Sequence, residues 1–318
     1  MSVSDKSVLS VVIPMYNEAA SLPKLIDSLR TVLVELKMDY EIIFVDDGST
    51  DRSVHIVTEF HKNDHRVKLV KLTRNFGKEI ATTAGIHAAN GDAILTLDAD
   101  GQMPVELIPR FVEEWERGAM VVVGTRSKRR TSLAKRISSK IFYRLFRIAT
   151  GVVLDPDASD FRLIDKQVQN EFNQMNERNR ITRGLIDWLG YERRYISYEE
   201  NGRLGGRATY TPRKLIKLAV DSMVSLSISP LYLTAYLGVV VLPLATLLGL
   251  GMVIDWLLSD PLHLHATGSA YLNVLVLWLV GVLLLSQGII GLYLSHIHTE
   301  AQNRPLYVVD EANSKGWS

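Results

Sequence analysis

The chain contains no cysteine. That excludes disulfides, thiolate metal sites and a cysteine nucleophile, and it is compatible with a reducing compartment. No charge of one sign dominates: 36 Lys and Arg stand against 35 Asp and Glu, a net of +1. There is no global basic field for nucleic acid, so any basic patch must be local. No Gly-x-Gly-x-x-Gly follows the first strand-like run and no Walker A sequence occurs. Phosphates are therefore not cradled by a glycine loop, and a metal would have to neutralise them. Residues 1–7 lack a basic stretch followed by an apolar run, so no cleavable signal peptide is expected. Charge is almost missing from residues 229–297, while the first 220 residues hold nearly all of it. That shift is the main boundary in a chain of 318 residues, enough for one large domain and something more.

The first part alternates strand and helix. Residues 8–13, 41–45, 67–72, 92–97 and 119–124 are short apolar runs of strand character. Between them, residues 22–33, 54–60, 77–89 and 104–117 read as helices, the first capped by Ser21 with Pro23 in its opening turn. This order implies an α/β fold with a mostly parallel sheet and right-handed crossovers. Such sheets bind ligands outside the carboxyl ends of their strands. Three polar clusters fall at those ends: Pro14-Met-Tyr-Asn-Glu18, Asp46-Asp47-Gly-Ser49 and Asp98-Ala-Asp100-Gly-Gln102. One cluster could be a turn; three that each carry carboxylate argue for a shared crevice. The chain is organised around the third. A strand that stops at Asp98-x-Asp100 is expected to aim both carboxylates from one side of an extended backbone. Two hard oxygen ligands suit Mg²⁺ or Mn²⁺ with sites left for substrate phosphate.

Together, Val11-Val-Ile-Pro-Met-Tyr-Asn-Glu18, Val45-Asp-Asp-Gly-Ser-Thr-Asp51 and Leu97-Asp-Ala-Asp-Gly-Gln102 resemble family 2 glycosyltransferases of the Rossmann-like GT-A fold. The resemblance implies that Pro14, Tyr16, Glu18 and Asp47 line the base and ribose of a nucleotide-sugar. It places Asp98, Asp100 and Gln102 on a divalent ion at the diphosphate, with Asp98 also counted in the nucleotide site. Lys78 would lie near the nucleotide; a solvated lysine at a helix start is an equally weighted reading.

A basic segment follows from Arg126 through Arg136 to Arg147, interleaved with apolar residues. It reads as an amphipathic helix for an anionic membrane interface or a phosphate-bearing lipid, with Arg126 and Arg136 on the acceptor phosphate. A nucleic-acid reading is weaker, because hydrophobic spans follow rather than a DNA-binding motif. Asp155-Pro-Asp157-Ala-Ser-Asp160-Phe-Arg162-Leu resembles an element of the polyprenyl-phosphate sugar transferases. That resemblance makes Asp157 the candidate base or acceptor-positioning group, with Asp160 second. A base is less needed than usual, since a phosphate monoester with a second pKa of about 6 is largely anionic at neutral pH. Arg203-Leu-Gly-Gly-Arg207-Ala-Thr-Tyr210 resembles the same family's phosphate loop, but Ala208-Thr209 replaces the usual Ser-Lys. Arg203 is the better phosphate contact; Arg207 stands in for the lysine's charge.

Residues 231–256 and 270–294 are apolar runs. The first, of about 26 residues, is roughly 39 Å long as a helix and exceeds the bilayer core. Residues 258–269, between them, carry no Lys or Arg, whereas the flanks do. The positive-inside rule then puts both termini and the catalytic domain on the cytoplasmic side of the cell membrane. Residues 211–227 read as a second interfacial helix. Gln287, inside the second run, is a candidate for helix packing or homo-oligomer contact. The expected organisation is a GT-A domain over 1–160, an acceptor-side extension over 161–228, two transmembrane helices over 229–298 and a cytoplasmic tail over 299–318. The resemblance implies inverting transfer of one sugar to a polyprenyl phosphate, with undecaprenyl phosphate and UDP-glucose as first choices. Mannose or a modified aminosugar fits the same pattern. A processive synthase would show Gln-x-x-Arg-Trp after the Asp-x-Asp, which is absent. A scaffold would have lost the metal ligands, and a lipid transporter would need more spans.

Overall fold

The computed structural model describes residues 7–36, 38–127, 158–178, 180–199 and 268–317. The chain divides into two compact units, one of residues 1–147, 152–211 and 304–318, the other of 148–151 and 212–303. The first unit is built on a seven-stranded sheet. Its elements run β1 (Val8–Met15), α1 (Leu22–Glu35), β2 (Asp39–Asp46), α2 (Ser53–Asn63), β3 (Val67–Lys71), α3 (Lys78–Ala88) and β4 (Ala93–Thr96). A 3₁₀ turn (Val105–Leu107), α4 (Ile108–Glu116) and β5 (Val121–Arg126) follow. Then come β6 (Ala158–Asp165), α5 (Lys166–Asn173), α6 (Thr182–Trp188) and β7 (Arg193–Tyr198).

The strand order is β3-β2-β1-β4-β6-β5-β7. β1 pairs in parallel with β2 and β4, β2 with β3, and β5 with β7. β6 is antiparallel to both β4 and β5. The sheet therefore extends beyond the strand expected at 119–124: β6 inserts between β4 and β5, and β7 adds an edge. Hydrophobic runs alone could not reveal this, because β6 carries Asp160 and Arg162 along its length.

Side-chain alternation splits the core into two layers. Leu9, Val11 and Ile13 of β1 face α1, α2 and α4 through Leu25, Ile26, Leu29, Val57 and Phe111. Val12 faces the opposite layer with Ala81, Ala84, Val168 and Phe172 of α3 and α5. Both faces are covered, which is why β1 reads as an apolar run interrupted only by Ser10. α3 lies very close to the sheet: a Cβ on Gly85 would collide with Val12 Cγ1 and stand 2.9 Å from Val45 Cγ2.

Three expectations about local structure change. Ser21 does not cap α1; its hydroxyl donates to the Glu18 carbonyl and carboxylate, each at 2.9 Å. The 104–117 segment opens as a 3₁₀ turn before α4. β4 stops at Thr96, and residues 99–101 turn, with Gly101 at φ 73°. Asp98 and Asp100 therefore do not share an extended backbone. The antiparallel β6 and this turn leave the fold α/β with a mixed, mostly parallel sheet, as the GT-A resemblance implies.

In the second unit α7 (Gly268–Ala301) is described, 34 residues long, with many of its side chains outside the description. Among the described residues no helix is long and apolar enough to cross a membrane. The run 231–256 and the expected interfacial helices around 128–147 and 211–227 lie outside the described residues.

Candidate active site

The carboxyl ends of the adjacent strands β2, β1 and β4 bring the three polar clusters to one edge of the sheet. The first two are laced together. Asn17, at φ 57°, holds the left-handed conformation that asparagine tolerates. Its side-chain oxygen accepts from the Thr50 amide at 2.8 Å, and its own amide donates to Ser49 Oγ at 2.9 Å. The Ala19 amide donates to Asp51 at 3.1 Å. Pro14 is buried above this join, Glu18 is half-buried, and the Tyr16 ring is 47% exposed.

Asp47 is only 3% exposed. Its carboxylate accepts the Phe76 amide at 2.7 Å and the Gly77 amide at 3.0 Å, so it holds the loop leading into α3. Burial pushes the carboxyls of Asp46 and Asp47 up from their ordinary value, against the hydrogen bonds they accept. Gly48, at φ 77°, has no substitute here: a Cβ would sit 2.7 Å from the Asn75 nitrogen.

The loop delivers Lys78 to the centre of the site. Lys78 Nζ lies 2.7 Å from Asp98 Oδ1 and 2.7 Å from Asp160 Oδ2. One cation thus bridges a carboxylate from the end of β4 and one from β6. Burial pushes Asp98 up, with Lys78 opposing it. Asp160 is held below the usual carboxylate range: burial acts against this, and Lys78 overrides it. Lys78 itself is raised, because the two carboxylates outweigh its own burial. Asp100 lies one turn away and accepts the Gln102 amide at 3.0 Å. Gln102 is half-buried beside it.

Several participants carried no clear mark in the sequence. Glu79 accepts the Thr182 amide at 2.8 Å, and burial followed by the Asp160 charge pushes its carboxyl up. Arg162 pairs with Asp187 at 2.7 Å with both side chains 3% exposed, tying β6 to α6. Arg193 adds a second contact to Asp187 at 3.3 Å. Arg162 lies within the Asp160-Phe-Arg162 motif, which was the available signal; Glu79 had none beyond its neighbour Lys78. With Pro14, Thr96 and Arg183, the side chains of Lys78, Glu79, Asp98, Asp160 and Arg162 line a recess of ≈ 20 Å³, room for about one water.

Arg126 ends β5 and is exposed. Asp157, Arg136, Arg203 and Arg207 lie outside the described residues. Among the described residues no three histidine or carboxylate side chains are gathered as a ready metal site. The donor chemistry still fits Mg²⁺ or Mn²⁺: two carboxylates with the remaining positions left to phosphate and water is a usual arrangement for such ions. The site can therefore collect anions only if cations offset its carboxylates, and Lys78 is the one cation that touches both Asp98 and Asp160 among the described residues.

Comparison with known proteins was consistent across the chain. The sequence profile described as glycosyl transferase family 2 matches residues 10–179. An uncharacterized glycosyltransferase of Synechocystis sp., sll0501, is 39% identical over 305 residues, covering 95% of each chain. The SfII prophage-derived bactoprenol glucosyl transferase of Shigella flexneri is 33% identical over 307 residues, covering 96% of this chain and 98% of that one. The crystal structure of mannosyl-3-phosphoglycerate synthase from Rubrobacter xylanophilus aligns with a TM-score of 0.51 at 15% identity, over 69% of this chain and 72% of that one. That last likeness concerns the fold alone.

Proposed function

The chain belongs to glycosyl transferase family 2, and from that premise we propose that it transfers one sugar from a nucleotide diphosphate to a polyprenyl phosphate at the cytoplasmic membrane face. UDP-glucose and undecaprenyl phosphate are the first choices, with inversion at the anomeric carbon. Relatives named bactoprenol glucosyl transferase, similar along nearly the whole chain, support that choice. The observation that carries the reading is the Asp98–Lys78–Asp160 bridge. Asp98 belongs to the cluster read as the donor end, Asp160 to the element read as the acceptor side, and they meet at one ammonium.

In this reading Tyr16 offers an exposed ring to the base, beside Pro14 and Glu18. Asp47 shapes the same pocket through the loop it holds. Asp98, Asp100 and Gln102 would hold Mg²⁺ or Mn²⁺, which when bound would offset the charge of the departing nucleoside diphosphate. Lys78 keeps Asp98 and Asp160 from repelling each other, and with Arg162 and Arg183 near the recess it lowers the cost of gathering two anions. Asp160, kept ionised, orients the acceptor or accepts its last proton. Asp157, Arg126, Arg136, Arg203 and Arg207 complete the acceptor side.

Two membrane spans, over 231–256 and within α7, are part of the proposal. Their support is the apolar sequence of the two runs. The test incubates purified full-length protein with undecaprenyl phosphate, Mg²⁺ or Mn²⁺ and a panel of radiolabelled nucleotide-sugars. Transfer from one donor to the lipid is expected. No transfer from any donor would refute the reading.

A further inference from the structure

The sequence reads residues 299–318 as a tail, but in the structure their last part is built into the catalytic sheet. β3 is an edge strand, and its even residues face β2: the Ile42 amide donates to the Arg66 carbonyl, and the Leu72 amide to the Asp46 carbonyl. The odd residues point outward; Val67 is met by the Asp64 carbonyl and His61 Nδ1, and the backbone groups of 69, 71 and 73 would otherwise lack partners. The tail meets them one after another. Leu69 and Lys315 exchange both backbone hydrogen bonds, at 2.9 and 2.8 Å. The Lys71 amide donates to Ser314 Oγ at 3.0 Å, and the Lys71 carbonyl accepts the Asp310 amide at 2.7 Å. The Thr73 amide donates to the Val308 carbonyl at 3.0 Å. Side chains repeat the attachment: Lys71 Nζ pairs with Asp310 at 3.0 Å, and Tyr307 Oη meets His87 Nδ1 of α3 at 3.0 Å.

Thr73 begins the loop whose far end, Phe76 and Gly77, is held by Asp47 and delivers Lys78. That loop is pinned at one end by the carboxylate of Asp47 and at the other by the tail.

We propose that residues 304–317 act as a strap that positions the 73–77 loop, and so Lys78, for the donor. The assignment of that donor site rests on the function proposed above. Among the described residues no hydrogen bond or ion pair shown joins the strap to the Asp98–Lys78–Asp160 bridge, so it is a positioning element rather than a catalytic one.

The test uses the full-length chain with Asp310→Pro, which removes both the amide donor to Lys71 and the ion pair. Amide hydrogen exchange at residues 73–77 should quicken at least tenfold while β1 and β4 keep their protection. The KM for the donor should rise severalfold with kcat within about twofold of the parent. Unchanged exchange there, or loss of protection throughout the sheet, would overturn the proposal, as would an unchanged donor KM in an active enzyme. If Asp310→Pro does not fold, Lys71→Met is read in the same way with a smaller increase expected. If the parent protein transfers no sugar at all, the proposed function fails, and the exchange measurement still decides whether the strap holds the loop.

Discussion

Lys78→Met is the sharpest perturbation, because it removes one charge from between two and leaves a side chain of similar reach. Each contact spans 2.7 Å. Coulomb's law gives about 1.5 kcal/mol for such a contact in bulk water and about 6 kcal/mol at an effective dielectric of 20. The lysine side chain is 43% exposed, so solvent screening leaves about 1 kcal/mol per contact. That energy favours the ionised form of each carboxylate, so its loss raises both. The sign is definite: a departing cation moves the acid limb of kcat/KM to higher pH. At neutral pH kcat/KM should fall roughly 10- to 100-fold, the rate equivalent of about 1.4–2.8 kcal/mol. Stability should fall by about 1 kcal/mol or less, because an ion pair this open to solvent contributes little to folding. The assay is sugar transfer to lipid from pH 5 to 9, with thermal unfolding alongside. An acid limb in the same place, with parent-like turnover, would refute the role given to the bridge.

Two further outcomes concern the opposite end of the sheet and the far face of α3. Glu41, 7% exposed, accepts from Ser10 Oγ at 2.5 Å and the Asn90 amide at 2.8 Å, and pairs with Lys68 at 2.7 Å. Glu41→Ala strands those donors and should cost about 2–4 kcal/mol in denaturant unfolding with kcat/KM unchanged. Burial acts to raise the Glu41 carboxyl, but these partners hold it below its ordinary 4.5. Its stabilisation is therefore present above that value and lost as pH falls through the folded one. His87 is pushed down to about 4 from 6.5 by burial and by Arg180. The unfolded chain takes up this proton first, so stability should be full above pH 6.5 and fall by up to about 3 kcal/mol on the way to pH 4. His87→Gln should flatten that slope in unfolding curves taken at pH 7 and 5; an unaltered slope would assign it elsewhere.

The residue pattern by itself determined the α/β alternation, the order and approximate place of the strands in the first 126 residues, and the three polar clusters near the carboxyl edge. These are local facts: apolar periodicity and abrupt polar stops are written in consecutive residues. It also marked Lys78 and Asp160 separately. Only the tertiary structure decided that they touch, because that contact depends on β6 turning back between β4 and β5, a pairing between distant segments that leaves no periodic trace. The same holds for Glu79, drawn in by the Thr182 amide across from α6. It holds too for the tail, where residues 308–315 show no strand-like alternation. They pair because the odd backbone groups of β3 need partners, and a backbone's need for hydrogen bonds cannot be read from its side chains.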